Sequence, residues 1–87
     1  MMDPREIQAV IERALPGALV EVIDTTGTLD HFQARVVAPQ FEGRSLIERH
    51  QLVQGPLKDA VDDGRIHALS MKTFTPEQWR ARTAGAK

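Results

Sequence analysis

The stretch Gly64–Trp79, GRIHALSMKTFTPEQW, decides the fold. His67, Leu69, Met71 and Thr73 alternate with Ile66, Ala68, Ser70 and Lys72, a period of two that predicts a strand whose one face is apolar beyond its first residue. Gly64 opens this strand and Thr75-Pro76 closes it. Thr75 then offers an N-cap hydroxyl, and Pro76 suits the first helical position because its missing N–H would have no partner there. Gln78 stands where a capping box takes Glu or Gln. The strand therefore runs straight into a capped helix. His67 is the polar member of the apolar face, and two readings of it are open: a ring at the rim of the core held by a backbone carbonyl, or a metal ligand at the strand entrance.

Working back from Gly64, Ser45 and Glu48 form a second capping box, followed by Leu46, Ile47, His50, Val53 and Leu57 on one helical face. Gly55-Pro56 interrupts that pattern, so two short helices or one bent helix are expected before Asp62-Asp63-Gly64. His50 lies in the apolar stripe, where a packed, hydrogen-bonded structural role is expected. Phe41-Glu42-Gly43 reads as a connector.

At the other end, Asp3-Pro4-Arg5-Glu6 supplies an N-cap, a first-turn proline and an early acid, and Ile7, Val10, Ile11, Ala14 and Leu15 recur at helical spacing up to Pro16-Gly17. Ala18 to Asp24 alternate as a strand with Val20 and Val22 on one face. Asp24 to Asp30 is a polar loop containing Gly27, and His31 to Ala38 form the return strand with Phe32, Ala34 and Val36 on one face. A loop of this length joins the two strands as an antiparallel pair.

One domain spans residues 1–87, with 80–87 expected as a flexible tail, and at this length a single sheet covered by helices is the realistic core. There is no cysteine, so any soft-metal chemistry must use histidine or a partner's sulfur. No apolar run is long enough to cross a membrane and the N-terminus does not resemble a targeting peptide, so cytoplasmic residence is expected. Three arginines face seven acids up to Gly43, whereas eight basic residues face five acids from Arg44 onward, within a net charge of −1. No cationic stripe interleaved with aromatics accompanies that asymmetry. No nucleophile and base are evident as a pair, so an enzyme is not expected.

A helical connection between two strands of one sheet is normally a right-handed crossover, which makes the third strand parallel to the second. If the two are neighbours, His31 and His67 both stand where their strands begin, about one strand spacing of 4.8 Å plus a register offset apart. The expected core sets Phe32, Ala34, Val36, Leu69 and Met71 beneath Ile7, Val10, Ile11, Leu46, Val53 and Leu57.

FEGRSLIERHQLV (Phe41–Val53), GRIHAL (Gly64–Leu69) and KTFTPEQW (Lys72–Trp79), together with VEVIDTT (Val20–Thr26) and His31-Phe32, resemble the BolA family. That resemblance implies an α+β, class II KH-like fold in the order α-β-β-α-α-β-α, with a three-stranded mixed sheet and without the phosphate-gripping GxxG loop. It implies a partner, a monothiol glutaredoxin, with which BolA proteins hold a bridging 2Fe-2S cluster, and otherwise a monomer or weak homodimer. Glutathione and the glutaredoxin cysteine ligate one side. The histidine opening the third strand, here His67, ligates the other, with a second His or Cys from the loop between the first two strands. Histidine replaces thiolate at one iron in Rieske centres too. In this chain Thr25 to Asp30 hold neither His nor Cys, and His31 is the nearest candidate. The rival expectation is nucleic-acid binding in transcriptional regulation, with Arg44, Arg49, Lys58 and Arg65 as phosphate contacts.

Overall fold

A computed structural model describes residues 3–27 and 31–85. Helix α1 spans Pro4–Ala14; the Asp3 carboxylate accepts a 2.8 Å hydrogen bond from the Arg5 N–H at its start, and Ile7 and Ile11 bury its inner face. Strands β1 (Leu19–Asp24) and β2 (His31–Val37) pair antiparallel without a break from Leu19 opposite Val37 to Asp24 opposite Phe32. Thr28 to Asp30 of the expected loop lie outside the described residues, as do Ala86 and Lys87 of the expected tail.

Strand β3 (Ala68–Phe74) runs parallel to β2, with His31 opposite Ala68 and Val37 opposite Phe74, so the sheet order is β1-β2-β3. Both the adjacency and the direction agree with the crossover argument. Phe32, Ala34 and Val36 are buried on one face of β2, against Ile7, Ile11, Leu15, Val53, Leu57 and Ala60 from the helices. Hydrophobic burial on this one face holds the layers together.

The crossover contains two helical segments, a short 3-10 turn at Pro39–Phe41 and helix α2 at Leu46–Asp62, so the α-β-β-α-α-β-α order holds. Its division falls before Leu46 and not at Gly55-Pro56, which α2 passes through unbroken. Pro56 removes one backbone donor, but Val53 and Leu57 are buried on either side while Gly55 and Pro56 face solvent, so packing holds the helix and water can meet the freed carbonyl.

Two further expectations are corrected. Leu46, expected in the core, is 62% exposed, and its neighbour Ile47 is 71% exposed, because the apolar stripe of α2 reaches the core only from Leu52 and Val53 onward. Phe41, expected in a connector, is fully buried.

Helix α3 (Pro76–Gly85) begins as expected: Thr75 Oγ1 accepts from the Gln78 N–H at 3.1 Å and Gln78 Oε1 from the Thr75 N–H at 2.9 Å. It remains helical through Gly85, into the segment expected as a tail. Trp79 lies 5.4 Å from the Phe74 ring centroid, and the Arg35 guanidinium 5.4 Å from the Trp79 ring. Phe74 and Arg35 alternate with core-facing neighbours, so α3 covers the end of the sheet's outer face away from His31.

Candidate functional site

His31 is the first residue of β2 and His67 the residue immediately before β3. The parallel register brings them side by side at one sheet edge, with ring centroids 6.1 Å apart and ring planes at 85°. His31 is half-buried and alternates with buried Phe32, which puts it on the sheet's outer face. His67 is exposed, so the reading of it as a ring at the rim of the core is corrected.

The same correction applies to Ile66. Alternation placed it on the outer face, yet it is only 2% exposed. β3 begins at Ala68, so residues 63–67 form a turn in which the period of two does not operate. The Ile66 N–H donates to the Ala60 carbonyl at 3.1 Å, tying the turn to the end of α2, and its side chain drops into the core. Asp63 braces the same turn, accepting from the Arg65 N–H at 3.0 Å and from Arg65 Nε at 2.9 Å. The bond from the Arg65 backbone N–H is the main reason the Asp63 carboxyl titrates below its ordinary range, with the Arg65 side chain adding to it.

On the β1–β2 side, the Thr25 N–H and Oγ1–H both donate to the His31 carbonyl, at 3.0 and 3.2 Å. Asp24 Oδ1 accepts from the Thr26 and Gly27 N–H groups at 3.2 and 3.0 Å, an Asx-type turn leading out of β1. The backbone beneath each imidazole is thus fixed by local hydrogen bonds that sequence spacing did not reveal.

Chemically, the pair offers two imidazole nitrogens and no sulfur, because the chain has no cysteine. Among the described residues no group of three or more His, Asp or Glu is arranged to hold a metal. Two imidazoles bonded to one metal at about 2 Å place their centroids roughly 5–6 Å apart. The observed 6.1 Å is slightly beyond that range, so a metal shared by the two rings would draw them closer.

His50 is not part of this arrangement. Ten residues before Ala60, it sits about 15 Å along α2 from the turn that carries His67. It is half-buried as expected, but its Nε2 is buried without the expected hydrogen-bond partner.

The four candidate phosphate contacts are not gathered into a patch. Arg44 pairs with Glu48 at 3.8 Å, Lys58 with Asp62 at 2.7 Å and Arg65 with Asp63 at 2.9 Å. Arg49 donates to Gln78 at 3.0 Å and lies 5.8 Å from the Phe41 ring centroid. Arg44 and Arg49 stand at the start of α2, whereas Lys58 and Arg65 stand toward and beyond its other end.

Fold and site together define a small α+β domain of the KH-like kind, which carries two neighbouring imidazoles where β2 and β3 begin. The family model described as BolA-like protein matches residues 11–78, and the chain belongs to the BolA family. It is 38% identical over 78 residues to the acid stress protein IbaG of Escherichia coli, covering 90% of this chain and 89% of that one. Among solved structures, a Bol-like protein from Babesia bovis superposes with a TM-score of 0.83 at 30% identity, covering 95% of each chain. The BolA domain of SufE1 from Arabidopsis thaliana gives 0.76 at 32% identity, over 85% of this chain and 92% of that one. Among the described residues no helix is long and apolar enough to cross a membrane.

Proposed function

We propose that this protein is a binding partner of a monothiol glutaredoxin and not an enzyme, and that His67 and His31 supply its share of the ligands to a bridging 2Fe-2S cluster used in iron-sulfur trafficking or in iron and redox regulation. The observation that carries this reading is the juxtaposition of two imidazoles 6.1 Å apart at one sheet edge, in a chain with no thiolate of its own. Sulfur would come from the glutaredoxin cysteine and from glutathione. When bound, such a cluster supplies a one-electron couple whose potential rises where imidazole replaces thiolate.

Within this reading the chain's residues divide the work. His67, exposed, offers its ring to the incoming partner, while His31, half-buried and held at its carbonyl by Thr25, approaches from the neighbouring strand. Helix α3 packs at the other end of the sheet's outer face, on Phe74 and Arg35, and among the described residues it does not stand between the two rings and a second protein.

The test is the visible absorption and circular dichroism of the protein purified together with a monothiol glutaredoxin and glutathione, against glutaredoxin alone. His67→Ala is expected to turn the mixed spectrum toward that of the all-thiolate glutaredoxin homodimer while the apo fold persists, because the exposed ring contributes little to the core. His31→Ala is expected to shift the spectrum as well. A wild-type spectrum from His31→Ala would remove that residue from the ligand set. The same result from His67→Ala, with association intact, would sink the mechanism.

A further inference from the structure

We infer that the turn Asp63–Ile66 is a positioning device for His67, in which Ile66 anchors the backbone and Gly64 keeps the space beside the imidazole clear. The inference rests on the reading of His67 as a ligand. Ile66 is fixed twice, by its N–H bond to the Ala60 carbonyl and by a side chain 2% exposed, yet the next residue stands in solvent. On the other side of His67, Ala68 is locked in register with His31. The ring therefore projects from a backbone tethered on both sides, one tether reaching the core and the other the strand that carries the second imidazole.

Gly64 adds a steric condition. Its φ is +84°, a left-handed conformation that side chains rarely adopt, and its N–H meets the Val61 carbonyl at 3.3 Å to close the end of α2. A Cβ built there would stand 3.9 Å from His67 Nε2 and, chain neighbours aside, within 4 Å of nothing else among the described residues. A methyl group would fit in ordinary contact. A longer side chain at position 64 would press against the Nε2 edge of the ring. Asp63 completes the turn by folding the Arg65 guanidinium back upon itself, so the cation two residues from His67 is engaged within the turn.

Two variants separate the steric effect from the backbone effect. Gly64→Asn keeps a residue that tolerates positive φ but plants an amide beside the ring. Ile66→Ala empties the anchor, and Ile66→Val restores most of it. The isolated chain is titrated with Ni2+ as a probe of two-imidazole binding, the His31 and His67 ring signals are followed by NMR, and the glutaredoxin complex is read by its visible dichroism. Gly64→Asn is expected to retain wild-type far-ultraviolet dichroism while Ni2+ affinity falls about tenfold or more, the range seen when a group supporting a metal ligand is altered, and the dichroism of the complex moves off the wild-type form. Ile66→Ala is expected to weaken Ni2+ binding under conditions where it is folded, and Ile66→Val to recover it.

Wild-type Ni2+ affinity and wild-type dichroism in both Gly64→Asn and Ile66→Ala would overturn the inference. If Gly64→Asn does not fold, the contrast between Ile66→Ala and Ile66→Val decides. A wild-type chain that binds Ni2+ through both rings, and loses it in these variants, but gives no mixed spectrum with glutaredoxin, would defeat the proposed function and leave the positioning role standing.

Discussion

Phe41 and Leu46 are five residues apart in a segment that reads as a connector followed by a helix start, and tertiary packing reverses their expected roles. Phe41 is fully buried as the last residue of the 3-10 turn, whereas Leu46 is 62% exposed. Truncating a buried phenylalanine removes its transfer free energy and leaves a cavity, so Phe41→Ala is expected to cost about 3–5 kcal/mol. Leu46→Ala, on the exposed first turn of α2, is expected to stay within about 0.5 kcal/mol of wild type. Urea denaturation of the two variants measures both values, and equal losses would refute the burial pattern. The two histidines show the same division at this scale. Their presence near strand entrances was legible from spacing, but His67 alternates in sequence with Ile66, and only the turn decided that Ile66 goes inward and His67 outward.

Helix α2 shows what packing does to an element with an unfavourable interior. Gly55-Pro56 is a reason to expect a break, and the caps on either side of it, Ser45 with Glu48 and Asp63 with Gly64, are equally consistent with one helix or two. The unbroken helix gives Gly55 a propensity cost, and apart from its chain neighbours a Cβ there would meet no described residue within 4 Å, but the ring of Pro56 that follows crowds a Cβ held in the helical conformation. Gly55→Ala is therefore expected to gain less than the about 0.5–1 kcal/mol of an ordinary helical glycine, read from the melting temperature, with the glutaredoxin spectrum unchanged. A clear loss of stability would show that the Pro56 ring outweighs the propensity gain, and a gain of about 1 kcal/mol or more would refute the crowding. The capped starts of α1, α2 and α3 were all legible, because capping is a local exchange between side chain and backbone that a sequence states directly.

At the scale of the whole molecule, charge argues against the rival function. The second half carries the excess of basic residues, but Arg44, Lys58 and Arg65 each pair with an acid on or beside α2, and Arg49 is held by Gln78. Duplex DNA is expected to bind weakly, with an affinity that changes little on Arg49→Ala or Lys58→Ala. Nanomolar, sequence-selective binding that falls steeply with added salt would reverse this ranking, since that slope counts neutralised phosphates. What the sequence by itself determined was the set of elements, their caps and the α+β order, because period, turn chemistry and crossover handedness are local or near-local rules. It also brought His31 and His67 to one edge, once the third strand was taken to neighbour the second. Only the tertiary structure decided that α2 is continuous, that Phe41 and Ile66 belong to the core, and that two rings from residues 36 positions apart come within 6.1 Å. The physical reason is that burial and ring separation depend on how whole layers pack and where a turn gives way to a strand, and periodicity within one segment carries no information about either.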